Sequence, residues 1–117
     1  MRPPHEDAVR GLLAACRTSE ITALRAALHE DAVAVCDGGG TVRGGEDVAG
    51  LVLVLLCRPG TVLSLESVNG RAGLASRRAG HAEAVVAAES IGAFVSALWI
   101  VVDPAKLTRW HVPAEHG

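Results

Sequence analysis

The sequence predicts an α+β fold in which an N-terminal helical hairpin and a third helix pack against a curved antiparallel sheet. Three observations carry this. Apolar residues near the start recur at helical spacing. An almost continuous apolar stretch, Val48 to Leu56, is introduced by acidic residues and closed by Pro59-Gly60. From Thr61 onward, four β-type runs follow one another across short turns. Helices first and a meander of strands after is the α+β pattern.

The first helix rests on Ala8, Val9, Leu12, Leu13 and Cys16, one buried stripe. Arg17-Thr18-Ser19 breaks it, and Ser19 or Thr18 is placed to cap a second helix carrying Ile21, Leu24, Ala27 and Leu28. His29-Glu30-Asp31 ends that helix. Ala32 to Cys36 reads as a strand stopping at Asp37-Gly38-Gly39-Gly40, where glycine permits positive φ. Gly44-Gly45 is a second break. Glu46 and Asp47 suit the N-terminus of the third helix through its dipole, and its apolar surface calls for burial on most sides. Thr61–Val68 and Arg71–Arg78 form a hairpin about Asn69-Gly70, a strong two-residue turn signal. Ala79-Gly80 leads to a third strand, His81–Glu89, and a turn near Ser90-Ile91-Gly92 leads to a fourth, Ala93–Val102. Asp103-Pro104 stops it. Ala105 to Trp110 suits one terminal turn, and residues 1–5 and 111–117 read as flexible ends.

The 117 residues fit one domain, 1–117. Half are hydrophobic and 3% aromatic, so Ala, Val and Leu must build the core. Net charge is −2, without the basic patch of a nucleic-acid binder. Of eleven basic residues only Lys106 is lysine, which together with the Ala, Gly and Val load suggests a GC-rich genome. The longest apolar run, Val48–Cys57, is about half a bilayer span. The N-terminus lacks the pattern of a signal peptide. Cys16, Cys36 and Cys57 are too few and too scattered for a disulfide framework or a zinc site. The expectation is a cytoplasmic chain with reduced thiols, no metal, no cofactor, no membrane and no nucleic acid.

Chemistry concentrates at a few residues. Asp37 ends a strand beside the bare backbone of Gly38, Gly39 and Gly40; it either serves acid–base chemistry or caps the turn. His81 and Glu83 are two apart on one strand and either form an oriented pair or end a solvated hairpin, with Arg77 in reach of both. Trp99 is a pocket wall or an interface residue. The fourth strand is apolar on both faces, which calls for the core on one side and a second copy on the other. Glu66 needs a partner such as Arg71 if it points inward. Asp103 completes the acid–base candidates.

Three stretches, in order over about 100 residues, carry a family resemblance: Asp37-Gly38-Gly39-Gly40; Val68-Asn69-Gly70-Arg71-Ala72-Gly73-Leu74; and Trp99-Ile100-Val101-Val102-Asp103-Pro104-Ala105-Lys106-Leu107. With them the chain resembles the SnoaL-like branch of the nuclear transport factor 2-like superfamily, closest to the SnoaL-like C-terminal extension of actinobacterial extracytoplasmic-function sigma factors. It departs from the family pattern at Thr41 (for Lys), Asp103 (for Asn) and Ala105 (for Asp), and the segment before the third helix is short. The resemblance implies a stand-alone, cone-shaped, somewhat shortened domain that dimerises through its sheet and holds a pocket between sheet and helices. A small hydrophobic or peptide-like ligand would meet Gly38, Gly39, Gly40, Arg71, Trp99 and Asp103. Catalysis, if present, would be that of a cyclase, isomerase or hydrolase of natural-product biosynthesis, working through Asp37, His81 and Glu83 or through substrate positioning. The alternative it implies is a regulatory module like a detached sigma-factor domain. That module would touch a protein partner through Asp37–Gly40 and Asp103–Leu107.

Overall fold

A computed structural model describes residues 3–113. The element order is α1 (Pro4–Thr18), α2 (Ile21–Ala27), β1 (Leu28–Cys36), β2 (Thr41–Arg43), α3 (Gly45–Leu56), β3 (Val62–Val68), β4 (Arg71–Arg78), β5 (His81–Ile91), β6 (Phe94–Val101), α4 (Pro104–Leu107) and a 3₁₀ turn, Thr108–Trp110. Six strands form one sheet in the order β2-β1-β6-β5-β4-β3. The α+β class, the helical hairpin, the third helix and the four-strand meander are as the sequence predicts.

The sheet is mixed rather than purely antiparallel. β1 runs parallel to β6, with Val35 opposite Trp99 and Cys36 opposite Ile100. Nothing in local sequence encodes that pairing, because it joins strands some sixty residues apart. β1 also begins at Leu28, so His29-Glu30-Asp31 lies in a strand instead of ending a helix. Its register slips between Leu28 and Val33, which lets three polar residues ride in an irregular segment. The second helix has no side-chain cap. Thr18 Oγ1 donates to the Ala15 carbonyl (2.7 Å) and accepts from the Glu20 amide (3.2 Å), so it serves the break between the helices.

Asn69 (φ 53°) and Gly70 (φ 79°) both take positive φ, as a two-residue type I′ hairpin requires. Ala79 and Gly80 repeat the geometry at 50° and 81°. At Ala79 the left-handed conformation costs about 1–2 kcal/mol because a Cβ is present.

The hollow of the sheet is filled. Val9 and Leu12 of α1, Leu24 of α2, Val48, Val52 and Leu56 of α3, and Leu74, Val86, Val95, Leu98 and Ile100 of the sheet are all buried in one cluster. α3 is less enclosed than its composition suggests, for Val54 is 69% exposed. A second, smaller cluster lies on the opposite face, because Ala75 and Val85 alternate with Leu74 and Val86. Leu107 of α4 joins Ala75, Val85 and Val68 there, with Val101 and Trp110 packed against them. The C-terminal turn is thereby anchored to the outer face.

Gly73 of β4 is buried, and a Cβ at that position would meet the Val86 carbonyl and the Val68 side chain. Backbone cannot yield as a flexible side chain would. Gly73→Ala is therefore expected to cost about 1–3 kcal/mol of stability, read from the midpoint of urea denaturation. A shift no larger than that of Gly50→Ala, where a Cβ meets open space, would contradict this packing.

Candidate functional site

The chain passes from β1 into Asp37 with Cys36 partly buried against the core. The Asp37 amide donates to the Ile100 carbonyl (3.0 Å), and Gly39 N–H donates to the Cys36 carbonyl (3.0 Å). Gly39 (φ 119°) and Gly40 (φ 93°) hold backbone angles that other residues resist. The turn thereby aims the Asp37 side chain across the sheet toward the end of β6.

There the carboxylate accepts two backbone hydrogen bonds. Oδ1 takes the Val102 amide at 2.8 Å and Oδ2 the Asp103 amide at 3.2 Å. Lys106 Nζ stands 3.8 Å from Oδ2. These donors hold the Asp37 carboxyl below its ordinary range, the Val102 amide contributing most. Asp103 in turn caps α4, accepting the Ala105 amide at Oδ1 (3.0 Å). Asp37 thus locks the Asp37–Gly40 turn to the Asp103–Leu107 turn. The two stretches, far apart in sequence, form one surface. Lys106 is mostly exposed on it, and the Cβ positions of Gly39 and Gly40 open onto free space.

Beside this surface lies an open cleft of about 370 Å³ lined by Leu55, Arg58, His81, Ala82, Glu83, Val102, Pro104 and Leu107. It gathers His81 and Glu83, but no hydrogen bond joins them. The His81 ring stacks on His111, with centroids 4.1 Å apart. Glu83 pairs with Arg78 at 3.5 Å, so Arg78 and not Arg77 is its partner. The cause is a bulge: Ser76 faces Ala84 and Arg77 faces Ala82, leaving Glu83 as the extra residue. Glu83 Oε1 is buried without a hydrogen-bond partner.

The remaining sequence candidates lie elsewhere. Arg71 pairs with Glu89 (2.6 Å) in solvent and is not the partner of Glu66. Glu66 accepts instead from Ser64 Oγ (2.6 Å) and Arg77 (3.1 Å), and Arg77 also donates to the Trp110 carbonyl (2.7 Å). Trp99 is 45% exposed beside Val35. His5 and His111 fall in the two ends that the sequence reads as flexible; His116 lies outside the described residues. Yet the His5 ring bonds the Ser90 hydroxyl (2.8 Å) and the Ala72 carbonyl (3.0 Å). His111 Nδ1 accepts the Ala82 amide at 2.9 Å. Lys106 falls within the Asp103–Leu107 stretch that the sequence offers as a contact loop, but only the structure sets its ammonium beside Asp37. Among the described residues no three His, Cys, Asp or Glu side chains gather as metal ligands. No described helix is long and apolar enough to cross a membrane.

Hydrogen bonds to the ionised forms also hold the Glu66 carboxyl below its ordinary 4.5, Ser64 contributing most, then Arg77. A carboxyl with a depressed folded pKa adds stability that is complete above its unfolded value and disappears as pH falls through the folded value. Stability is therefore expected to hold down to about pH 5 and to fall on further acidification, as the Asp37 and Glu66 links protonate. Thermal midpoints between pH 6 and pH 3 check this. Midpoints that rise or stay level below pH 4 would contradict it.

No protein-family model matches the chain, and no curated protein matches it. Solved structures do. Extracytoplasmic function sigma factor SigJ of Mycobacterium tuberculosis is similar at 25% identity and a TM-score of 0.67, over 92% of this chain and 45% of that one. The chain thus spans less than half the length of that sigma factor. An LEH-like epoxide hydrolase of the same organism matches at 18% identity and a TM-score of 0.59, covering 93% and 92%. An NTF2-like protein of unknown function from Cytophaga hutchinsonii matches at 17% and 0.51, covering 92% and 97%. With its curved six-strand sheet, its three helices in the hollow and these likenesses, the chain has the fold shared by SnoaL-like and nuclear transport factor 2-like proteins.

Proposed function

We propose that the chain is a non-enzymatic interaction module that binds an extracytoplasmic-function sigma factor through the joined Asp37–Gly40 and Asp103–Leu107 turns. One observation carries this reading: Asp37 fastens together the two stretches that resemble the sigma-factor domain. The likeness to SigJ, the highest in identity and TM-score of the three structures compared, supports it. The filled hollow of the cone supports it too, since Leu12, Leu56, Leu74 and Leu98 occupy the space a buried substrate needs. Asp37 spends its oxygens on backbone amides, a poor state for a general base. The test is isothermal titration of the chain into such a sigma factor deprived of its own domain of this fold. A saturable one-to-one complex is expected; no heat with any sigma factor of the source organism would refute the module.

A second reading has its own observation. The cleft at Arg58, His81 and Glu83 offers a carboxylate oxygen with no partner, which suits a small ligand with a hydrogen-bond donor. Cyclase, isomerase or hydrolase chemistry would then center on His81 and Glu83. Native mass spectrometry after exposure to a metabolite extract separates the two: a discrete small adduct favours the cleft. Both readings place the chain in the cytoplasm.

Our reading includes a homodimer through the outer face of β1 and β6, where Val35 and Trp99 are exposed side by side. Trp99→Glu is expected to shift a micromolar sample from dimer to monomer in sedimentation. A wild-type monomer would remove the dimer from the account.

A further inference from the structure

Cys16 and Cys57 are far apart in sequence, but the fold brings them to one place. Cys16 sits in the last turns of α1 and is buried; Cys57 follows directly on α3 as its C-cap and is half-buried. Cys57 packs against the core cluster that holds Cys16. Both line an open cleft of about 420 Å³ at the mouth of the cone, with Leu56, Arg58, Pro59 and Gly60 beside them. Cys36 does not line that cleft and contacts the Asp37–Gly40 turn instead. Two thiols lining one cleft, one of them reachable from solvent, are the elements of a reversible redox site.

We propose that Cys16 and Cys57 form a disulfide under oxidising stress, a latch that ties the end of α1 to the end of α3 across the mouth of the cone. Hydrogen peroxide is the oxidant class. Cys57, the more accessible sulfur, attacks one peroxide oxygen; the O–O bond breaks, water leaves, and a sulfenic acid forms on Cys57. Cys16 sulfur then attacks Cys57 sulfur, the S–O bond breaks, and the hydroxyl departs with the Cys16 proton as a second water. Two thiols lose two electrons and two protons in all, and one peroxide becomes two waters. A thiol reductant reverses the change.

The resting state is the dithiol. Burial pushes both thiols upward, Cys16 far more than Cys57, so the thiolate is scarce near neutrality. The latch is therefore slow at neutral pH and speeds up as pH rises. This inference does not depend on sigma-factor binding, because the cleft lies apart from the Asp37 surface.

The test is peptide mapping of the intact chain after hydrogen peroxide, with denaturation and alkylation of the remaining thiols. The expected product has lost about 2 Da, carries a Cys16–Cys57 cross-linked peptide, and leaves Cys36 fully alkylated. Its thermal midpoint is expected to rise above that of the reduced chain, and dithiothreitol is expected to reverse both changes. Cys57→Ser is expected to abolish the cross-link and the rise in midpoint. Three alkylated thiols, a cross-link through Cys36, or only intermolecular disulfides in the wild-type chain would each overturn the latch, whether or not the variant folds.

Discussion

Replacing Leu56 by Ala is expected to lower folding stability by about 2–5 kcal/mol. Leu56 is fully buried at the last turn of α3. It lies in the core cluster with Leu12, Leu63 and Leu74, between helices and sheet. Truncation removes three carbons from that packing and leaves a void that the rigid sheet cannot close. Urea denaturation with an unchanged slope checks the figure. The sign carries functional meaning. In a hollow cone the leucine would line an empty pocket, and truncation would cost little. A loss below about 1 kcal/mol would thus argue for a hollow interior and revive the enzyme reading.

Asp37→Ala is expected to abolish detectable sigma-factor binding and to cost about 2 kcal/mol of stability. Two amides, of Val102 and Asp103, lose a charged acceptor, and Lys106 loses its counter-ion. The fold should survive, since the carboxylate sits at the margin of the core rather than within it. Asp37→Asn keeps one carbonyl oxygen for Val102 but sets an amide against the Asp103 N–H or Lys106. It is expected to fall between wild type and alanine in both binding and stability. Binding by titration and stability by denaturation separate the two effects. Full binding by a folded Asp37→Ala chain would show that the two turns need no joint.

How much of this was legible in the sequence follows the range of the interactions. Asn69-Gly70 and the alternation around it specified a hairpin because both signals are local. α3 was legible from Glu46 and Asp47 to Pro59-Gly60. The parallel pairing of β1 with β6 was not, because it is a choice among distant strands. His29-Glu30-Asp31 misled for a related reason: polar residues are tolerated where a strand is irregular and open to solvent. The bulge at Glu83 shifts its partner by one residue, so Arg78 and not Arg77 stands beside it; Glu66, on the unbroken β3–β4 ladder, pairs with Arg77 rather than Arg71. One-residue shifts of register redirect side chains to the other face, and sequence periodicity alone does not fix them.

The site was legible in its parts but not in its assembly. Asp37 and Asp103 stood out as residues of two motifs. That one binds the backbone beside the other became visible only in the fold. His111 was hidden by its place near the chain end, where sequence gives no sign of the Ala82 amide it accepts or of the stack with His81. Cys16 and Cys57 were read as isolated, since no spacing rule brings the ends of two nonadjacent helices together.

The most direct test of the joined surface is hydrogen–deuterium exchange of the chain with and without the sigma factor. The account expects protection at Gly38–Gly40 and at Ala105–Leu107 together, absent in Asp37→Ala, with the Leu55–Arg58 and His81–Glu83 segments unchanged. Protection confined to those cleft segments, or to neither turn, would contradict it.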